Sequence, residues 1–243
     1  WGFNYTSTGE LGTDLYLSDF KFIDITDDLN KTNVSEKGVV NTIEYSEIGP
    51  YEDLITWIPL DSNPNDISLN AVKGTVFGSP EISSGVLSNS YLFDGVDDYI
   101  NTNLKCNNIL NDNENFSLTA WVYILSNPTV GAQIISCSAY NSEVEGGGFG
   151  IGINTDGVLV FKLGDLDTSS EIPFNSTVFN KDVWHFVTLT FDGNNLNCYK
   201  NGSLLSKTPR TIWNSNNYNI LIGKGTQGGW GGYFNGKISD VRI

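Results

Sequence analysis

Residues 182–205, DVWHFVTLTFDGNNLNCYKNGSLL, leave a chain little choice of fold. Val187, Leu189 and Phe191 alternate with Phe186, Thr188 and Thr190, the period of two that sends successive side chains to opposite faces of a strand. Asp192-Gly193 follows, then a second alternating run from Leu196 to Lys200, then Asn201-Gly202. Positive φ costs glycine little and is tolerated by Asn and Asp, so each dipeptide marks a tight reversal. Two such turns one strand apart predict an antiparallel meander.

Two further blocks extend the pattern. Tyr91 to Ile100, YLFDGVDDYI, is followed by the apolar run Phe116 to Val122, and Phe234 to Ile243, FNGKISDVRI, closes the sequence. Together with Trp184-His185, the strand ending in Phe191-Asp192-Gly193 and Tyr199 to Gly202, these blocks resemble the laminin-G-like domains of the concanavalin A-like lectin/glucanase, or pentraxin-like, superfamily. The resemblance covers residues 54–243 and implies an all-β jelly roll, a β-sandwich of two antiparallel sheets with helix only in connections. Members are mostly lectin-like and adhesive, with some enzymes among them, so the fold alone fixes no activity. Within the first strands Trp121 is expected in the core. Asp97 and Asp98, adjacent in an expected strand, should point to opposite faces.

Length and charge narrow the partners. The chain has 243 residues, enough for one large sandwich or two small domains, and 13 basic against 28 acidic side chains give a net charge of -15. Nucleic acids and anionic membranes need a positive footprint, so neither is an expected partner. No apolar run approaches the ~18 residues of a membrane-spanning helix. Three cysteines, Cys106, Cys137 and Cys198, allow at most one bridge and form no metal cluster. The sequence opens on Trp1, and is expected to be a processed or partial piece of a longer protein.

Leu17 to Ile23, LSDFKFI, repeats the pattern of Ile238 to Ile243, ISDVRI, and Trp1 to Asn4 echoes Trp230 to Asn235. Residues 1–23 are therefore expected to be the closing strands of a preceding domain of the same type, with neighbouring copies as partners in a tandem array. The other reading is an ordinary N-terminal strand. Residues 24–53 are polar and mixed, as a linker would be, and a domain starts near Leu54.

Residues 61–74, DSNPNDISLNAVKG, are rich in side-chain oxygens. The resemblance implies a structural calcium ion held by an Asp and an Asn of this loop with an Asp of the last strand. The positions that match are Asp66, Asn70 and Asp240, with backbone carbonyls near Lys73 completing the six to eight oxygens calcium takes. Here Ile67-Ser68-Leu69 intervenes where Ser-Gly-Asn would be usual. The competing reading is a loop held by its own Asx turns.

Catalysis is not expected. His185 is the one histidine and stands in a strand beside Trp184, with no Gly-x-Ser-x-Gly elbow to serve. The Glu-x-Asp-x-x-Glu run of the glucanase relatives is missing, and Glu143 and Glu145 sit in a glycine-rich loop. Tyr140, Asn141, Trp213, Asn214, Trp230 and Tyr233 are the candidate ligand contacts, offering aromatic faces and amide edges to sugars. Trp230 could equally plug one end of the sandwich. These features predict a non-catalytic, calcium-stabilised carbohydrate-binding or adhesion module of a secreted, cell-surface or virion-surface protein, its partner a glycan or glycoprotein. The alternatives are a structural repeat of a fibre or sheath, and an accessory domain of a polysaccharide-degrading enzyme.

Overall fold

The computed structural model describes residues 54–108, 115–137, 149–163, 171–209, 217–225 and 231–243, together with two short strands near the N-terminus. The chain divides into two compact units, residues 1–50 and 51–243. In the first, β1 (Leu15–Ser18) pairs antiparallel with β2 (Lys21–Asp24), turning between Ser18 and Lys21. The segment that resembles residues 238–243 is thus divided between two paired strands, whereas residues 238–242 lie within a single strand.

The second unit begins with β3 (Trp57–Ile58), β4 (Thr75–Phe77), β5 (Glu81–Ser84), β6 (Asn89–Asp94) and β7 (Tyr99–Lys105). A 3-10 turn at Cys106–Asn108 precedes β8 (Phe116–Ile124), β9 (Ala132–Ser136), β10 (Phe149–Ile153), β11 (Val158–Leu163) and β12 (Glu171–Val178). The expected meander follows as β13 (Trp184–Phe191), β14 (Asn195–Lys200) and β15 (Ser203–Pro209), and β16 (Asn219–Ile222) and β17 (Asn235–Arg242) complete the set. Seven strands form one sheet in the order β12-β11-β10-β9-β16-β7-β4. Eight form the other, β15-β14-β13-β8-β17-β6-β5, with β3 added against β17. Every pairing among the named strands is antiparallel, giving the two-sheet sandwich that the sequence implies.

The alternation read from sequence sets which residues enter the core. His185, Val187, Leu189 and Phe191 of β13 are buried and pair with Val122, Ala120, Leu118 and Phe116 of β8. Facing them from the other sheet are Ile100, Ile135, Ile151, Phe161, Ile220 and Ile222, all buried. Each fully buried side chain of this size contributes roughly 1.5–3 kcal/mol. Trp121 does not join them. Its register opposite Phe186 and Ser239 puts it on the outer face, half-buried, with its ring 4.9 Å from Phe186. Asp192-Gly193 and Asn201-Gly202 are turns with positive φ at Gly193, Asn201 and Gly202. Gly150 lies where a β-carbon would come within 2.6 Å of Gln133 Oε1, so the bare face of β10 serves close packing.

Cys106, at the end of β7, is bonded to Cys137, at the end of β9, while Cys198 is free and buried.

Candidate functional site

The oxygen-rich loop and the last strand meet at Trp57. Its backbone N–H donates to Asp66 Oδ1 at 2.7 Å and its indole Nε1–H to Asp240 Oδ1 at 2.7 Å. Asp66 also accepts from Ser68 N at 2.8 Å, and its Oδ2 lies 2.7 Å from Ser68 Oγ. Asp240 accepts from Arg242 Nε at 3.2 Å and Nη2 at 3.1 Å, with Arg242 Nη2 3.0 Å from its second oxygen. Asn70 turns its Nδ2 to Ile55 O at 2.7 Å. The Lys73 carbonyl accepts from Asn103 Nδ2 at 2.7 Å.

The three residues expected to bind calcium are therefore gathered at one place, but with N–H and O–H hydrogens aimed at the oxygens a cation would need. As arranged, this donor set does not fit a shared calcium ion. It fits the competing loop reading: Asn65 N donates to Asn63 Oδ1 at 2.9 Å, and Ser68 N to Asp66 Oδ1, both Asx turns.

A second constellation arises because Asp97 and Asp98 do not share the expected strand. Residues 95–97 instead form a bend, and β7 starts at Tyr99. Carboxylate oxygens of Asp94, Asp97 and Asp98 consequently lie within 4.8 Å of one another. Asp98, buried, accepts Ser79 N at 2.6 Å and Asp94 N at 3.0 Å, and so pins the turn. Asp94 Oδ1 accepts Val96 N at 2.7 Å. Asp94 and Asp97 are exposed. The Asp94-Gly95 dipeptide, φ +79° at Gly95, was the available signal that strand alternation stops there.

These acids line an open pocket of ≈ 570 Å³ with Gly78, Ser79, Glu81 and Asn235 on its wall. Asn235 Nδ2 donates to Asp94 O at 2.9 Å, tying β17 to the turn. Aromatic residues adjoin the pocket along the chain. Phe77, 39% exposed and next to Gly78, stacks on Tyr99, next to Asp98, with centroids 4.5 Å apart and planes 3° from parallel. Tyr233 stands 6.4 Å from Tyr99, and Lys224 Nζ lies 4.4 Å and 4.8 Å from the two tyrosine rings. Cation–π attraction of this kind, roughly 0.5–1 kcal/mol at exposed sites, holds the tyrosines and the ammonium together.

Of the residues expected to contact ligand, Tyr233 falls in this group. Tyr140, Asn141, Trp213, Asn214 and Trp230 lie outside the described residues. His185 is buried, its Nε2 2.8 Å from Asn180 O and its ring edge-on to Phe179 at 4.8 Å. Desolvation lowers its pKa, with a smaller contribution from the Lys200 charge, against the opposing backbone hydrogen bond.

Among solved structures, domain 4 of AbnA, a GH43 extracellular arabinanase from Geobacillus stearothermophilus, in complex with arabinotriose, matches with a TM-score of 0.62 and 15% identity over 78% of this chain and 90% of that one. The binding domain of Paraclostridial Mosquitocidal Protein 1 gives 0.58 and 15% identity over 78% of this chain and 48% of that one. A structure of botulinum neurotoxin type C, a toxin described as depending for cell entry on interaction with two ganglioside molecules, gives 0.55 and 21% over 78% and 47%. The chain thus spans most of the arabinanase domain but about half the length of the two toxin chains. No curated protein matches it in sequence. The concanavalin A-like lectin/glucanases superfamily matches residues 94–243, which hold the acidic turn, the meander and the closing strand, and the chain belongs to that superfamily.

Proposed function

We propose that the sandwich of residues 51–243 is a non-catalytic carbohydrate-binding module that takes a neutral glycan at the Asp94–Asp98 pocket. The observation that carries this reading is the pocket itself, where the exposed carboxylates of Asp94 and Asp97 and the Asn235 amide line one opening; the stacked rings of Phe77 and Tyr99 adjoin its residues Gly78 and Asp98 in the chain. Sugars present hydroxyl donors along their edges and C–H groups on their faces; carboxylates accept the first, and tyrosine or phenylalanine rings pack on the second. Glu81, Asp94, Asp97 and Asp98 make the pocket negative, which disfavours sialic and uronic acids by like-charge repulsion. Two fold neighbours support carbohydrate as the ligand class, one described with arabinotriose bound and another by its interaction with gangliosides; only the first is a neutral sugar of the kind proposed here.

Against hydrolysis stands the origin of the three clustered acids, which share one turn. Glycosidases set their two carboxyls on either side of the bond they break. The Cys106–Cys137 bridge supports a secreted or surface location, since oxidising compartments preserve such bonds.

A glycan array carrying neutral and acidic oligosaccharides tests the reading, with Phe77→Ala and Asp97→Asn beside the unaltered protein. A neutral ligand should be retained, and each substitution should weaken it by about tenfold, the size of one lost stacking or charged hydrogen-bond contact. A protein that binds no glycan, or binds one equally in all three forms, would remove the pocket from consideration.

A further inference from the structure

We infer that the Arg242 guanidinium occupies the electrostatic place of a divalent cation between β3 and β17, so that their closure is independent of calcium. Four observations converge. Asp240 is held by Arg242 through both oxygens, and the same Oδ1 takes the Trp57 indole N–H at 2.7 Å. The guanidinium carbon lies 4.3 Å from the centre of the Trp57 ring, so one indole binds the carboxylate at its edge and the cation at its face. The Trp57 main chain in turn holds Asp66, joining loop 61–74 to the same clasp. β3 and β17 are paired where this happens, Trp57 opposite Arg242 and Ile58 opposite Val241.

The backbone is shaped for the arrangement. A register shift falls between Ser239 and Arg242, and Asp240 adopts φ +52°, a left-handed conformation that Asp tolerates better than most residues. Asp240 and Arg242, two residues apart, meet the same indole. Asp240 is 6% exposed, so removal of its counter-charge would strand a carboxylate out of water. A calcium ion at Asp66 and Asp240 would have to displace seven hydrogen-bond donors and share the Asp240 carboxylate with a fixed positive charge. The resident cation is covalently part of the chain and cannot be chelated away.

The test is thermal unfolding of the full chain in chelator and in millimolar calcium, comparing the unaltered protein, Arg242→Gln, Arg242→Lys and Asp240→Asn. The unaltered protein should melt at the same temperature in both buffers. Arg242→Gln should fall by about 5–10 °C in both, the loss expected when the buried Asp240 carboxylate loses a partner that is itself 23% exposed. Arg242→Lys, which keeps the charge but loses the planar fork, should fall less, and it preserves the comparison if the glutamine form does not fold. A calcium-induced rise that disappears in Asp240→Asn would overturn the inference, as would an Arg242→Gln protein as stable as its parent. A rise that survives in Asp240→Asn would place the ion elsewhere and leave the clasp calcium-free.

Discussion

His185 carries its hydrogen on Nε2, because the Asn180 carbonyl facing that atom can only accept, and its Nδ1 is buried without a partner. Charging the ring would bury a second N–H with nothing to receive it. The folded protein therefore holds the imidazole below its ordinary value of 6.5, and as pH falls the unfolded chain takes up the proton first. Stability should be full above about pH 6.5 and decline from there toward the depressed folded-state value. Melting temperatures recorded across this window should show the decline in the unaltered protein and a smaller one in His185→Gln, whose side-chain amide can still donate to Asn180 O. Equal slopes in the two proteins would acquit the histidine. Two glycines separate conformational from steric cost in the same way. Gly202 has φ +79° and open space where a β-carbon would go, whereas Gly223, at φ +86°, would bring one within 2.6 Å of the Phe93 ring. Alanine should cost about 1 kcal/mol at Gly202, from the backbone alone, and about 2–4 kcal/mol at Gly223, measurable by urea denaturation. A Gly223→Ala protein no weaker than Gly202→Ala would mean that the Phe93 ring yields freely.

Strands β7 and β9 are not neighbours in their sheet; β16 runs between them, and the Cys106–Cys137 bond spans their ends. It closes a loop across a sequence separation of 31 residues. Replacing both cysteines by serine should remove about 3–4 kcal/mol through the larger freedom of the unfolded chain, seen as a lower denaturation midpoint with a steeper slope, since the unbridged unfolded chain exposes more surface. An unchanged midpoint would show that β16 alone fixes the two ends. Cys198 should not rescue the lost bond, since it is buried, with its thiol pushed up to about 11 by desolvation. At this scale the sequence was readable wherever a period of two met a turn dipeptide: β13 and β14 fall within a residue or two of their expected limits, and β15 starts at Ser203, directly after the second turn, but runs on to Pro209. It misled where size was taken for burial. Trp121 is the largest side chain of β8, yet Leu118, Ala120, Val122 and Ile124 hold the inward parity and Trp121 the outward one. It also misled at Asp97-Asp98, where a glycine turn cancels the alternation that would have set the two acids apart. Asp66 and Asp240 both meet Trp57, but the rotamers of Trp57 and Arg242 decide what occupies their oxygens, and no sequence pattern announces them.

Over the whole sandwich, the last strand to be made is a central one. β17 pairs with β6 through Asn235–Ile238, with β8 through Gly236–Arg242, and with β3 through Val241 and Arg242. It also buries Ile238 and Val241 and supplies Asn235 to the pocket wall. Without it, β6 and β8 would each present an unpaired edge and the core would open between them. The contacts that close it are among the most distant in the chain, Trp57 to Asp240 being 183 residues apart, so loop closure must come before their reward and folding should be slow, in the millisecond-to-second range or beyond. A chain lacking residues 235–243 should accordingly show no cooperative melting transition. The rest of the eight-stranded sheet still carries the matching main-chain donors and acceptors, so a synthetic peptide of residues 235–243 added in excess should restore the transition and, with Asn235 back in place, the pocket. Cooperative melting of the truncated chain on its own would mean that β6 and β8 pair directly once β17 is gone, and that the sandwich closes by an order of strands other than the one seen here.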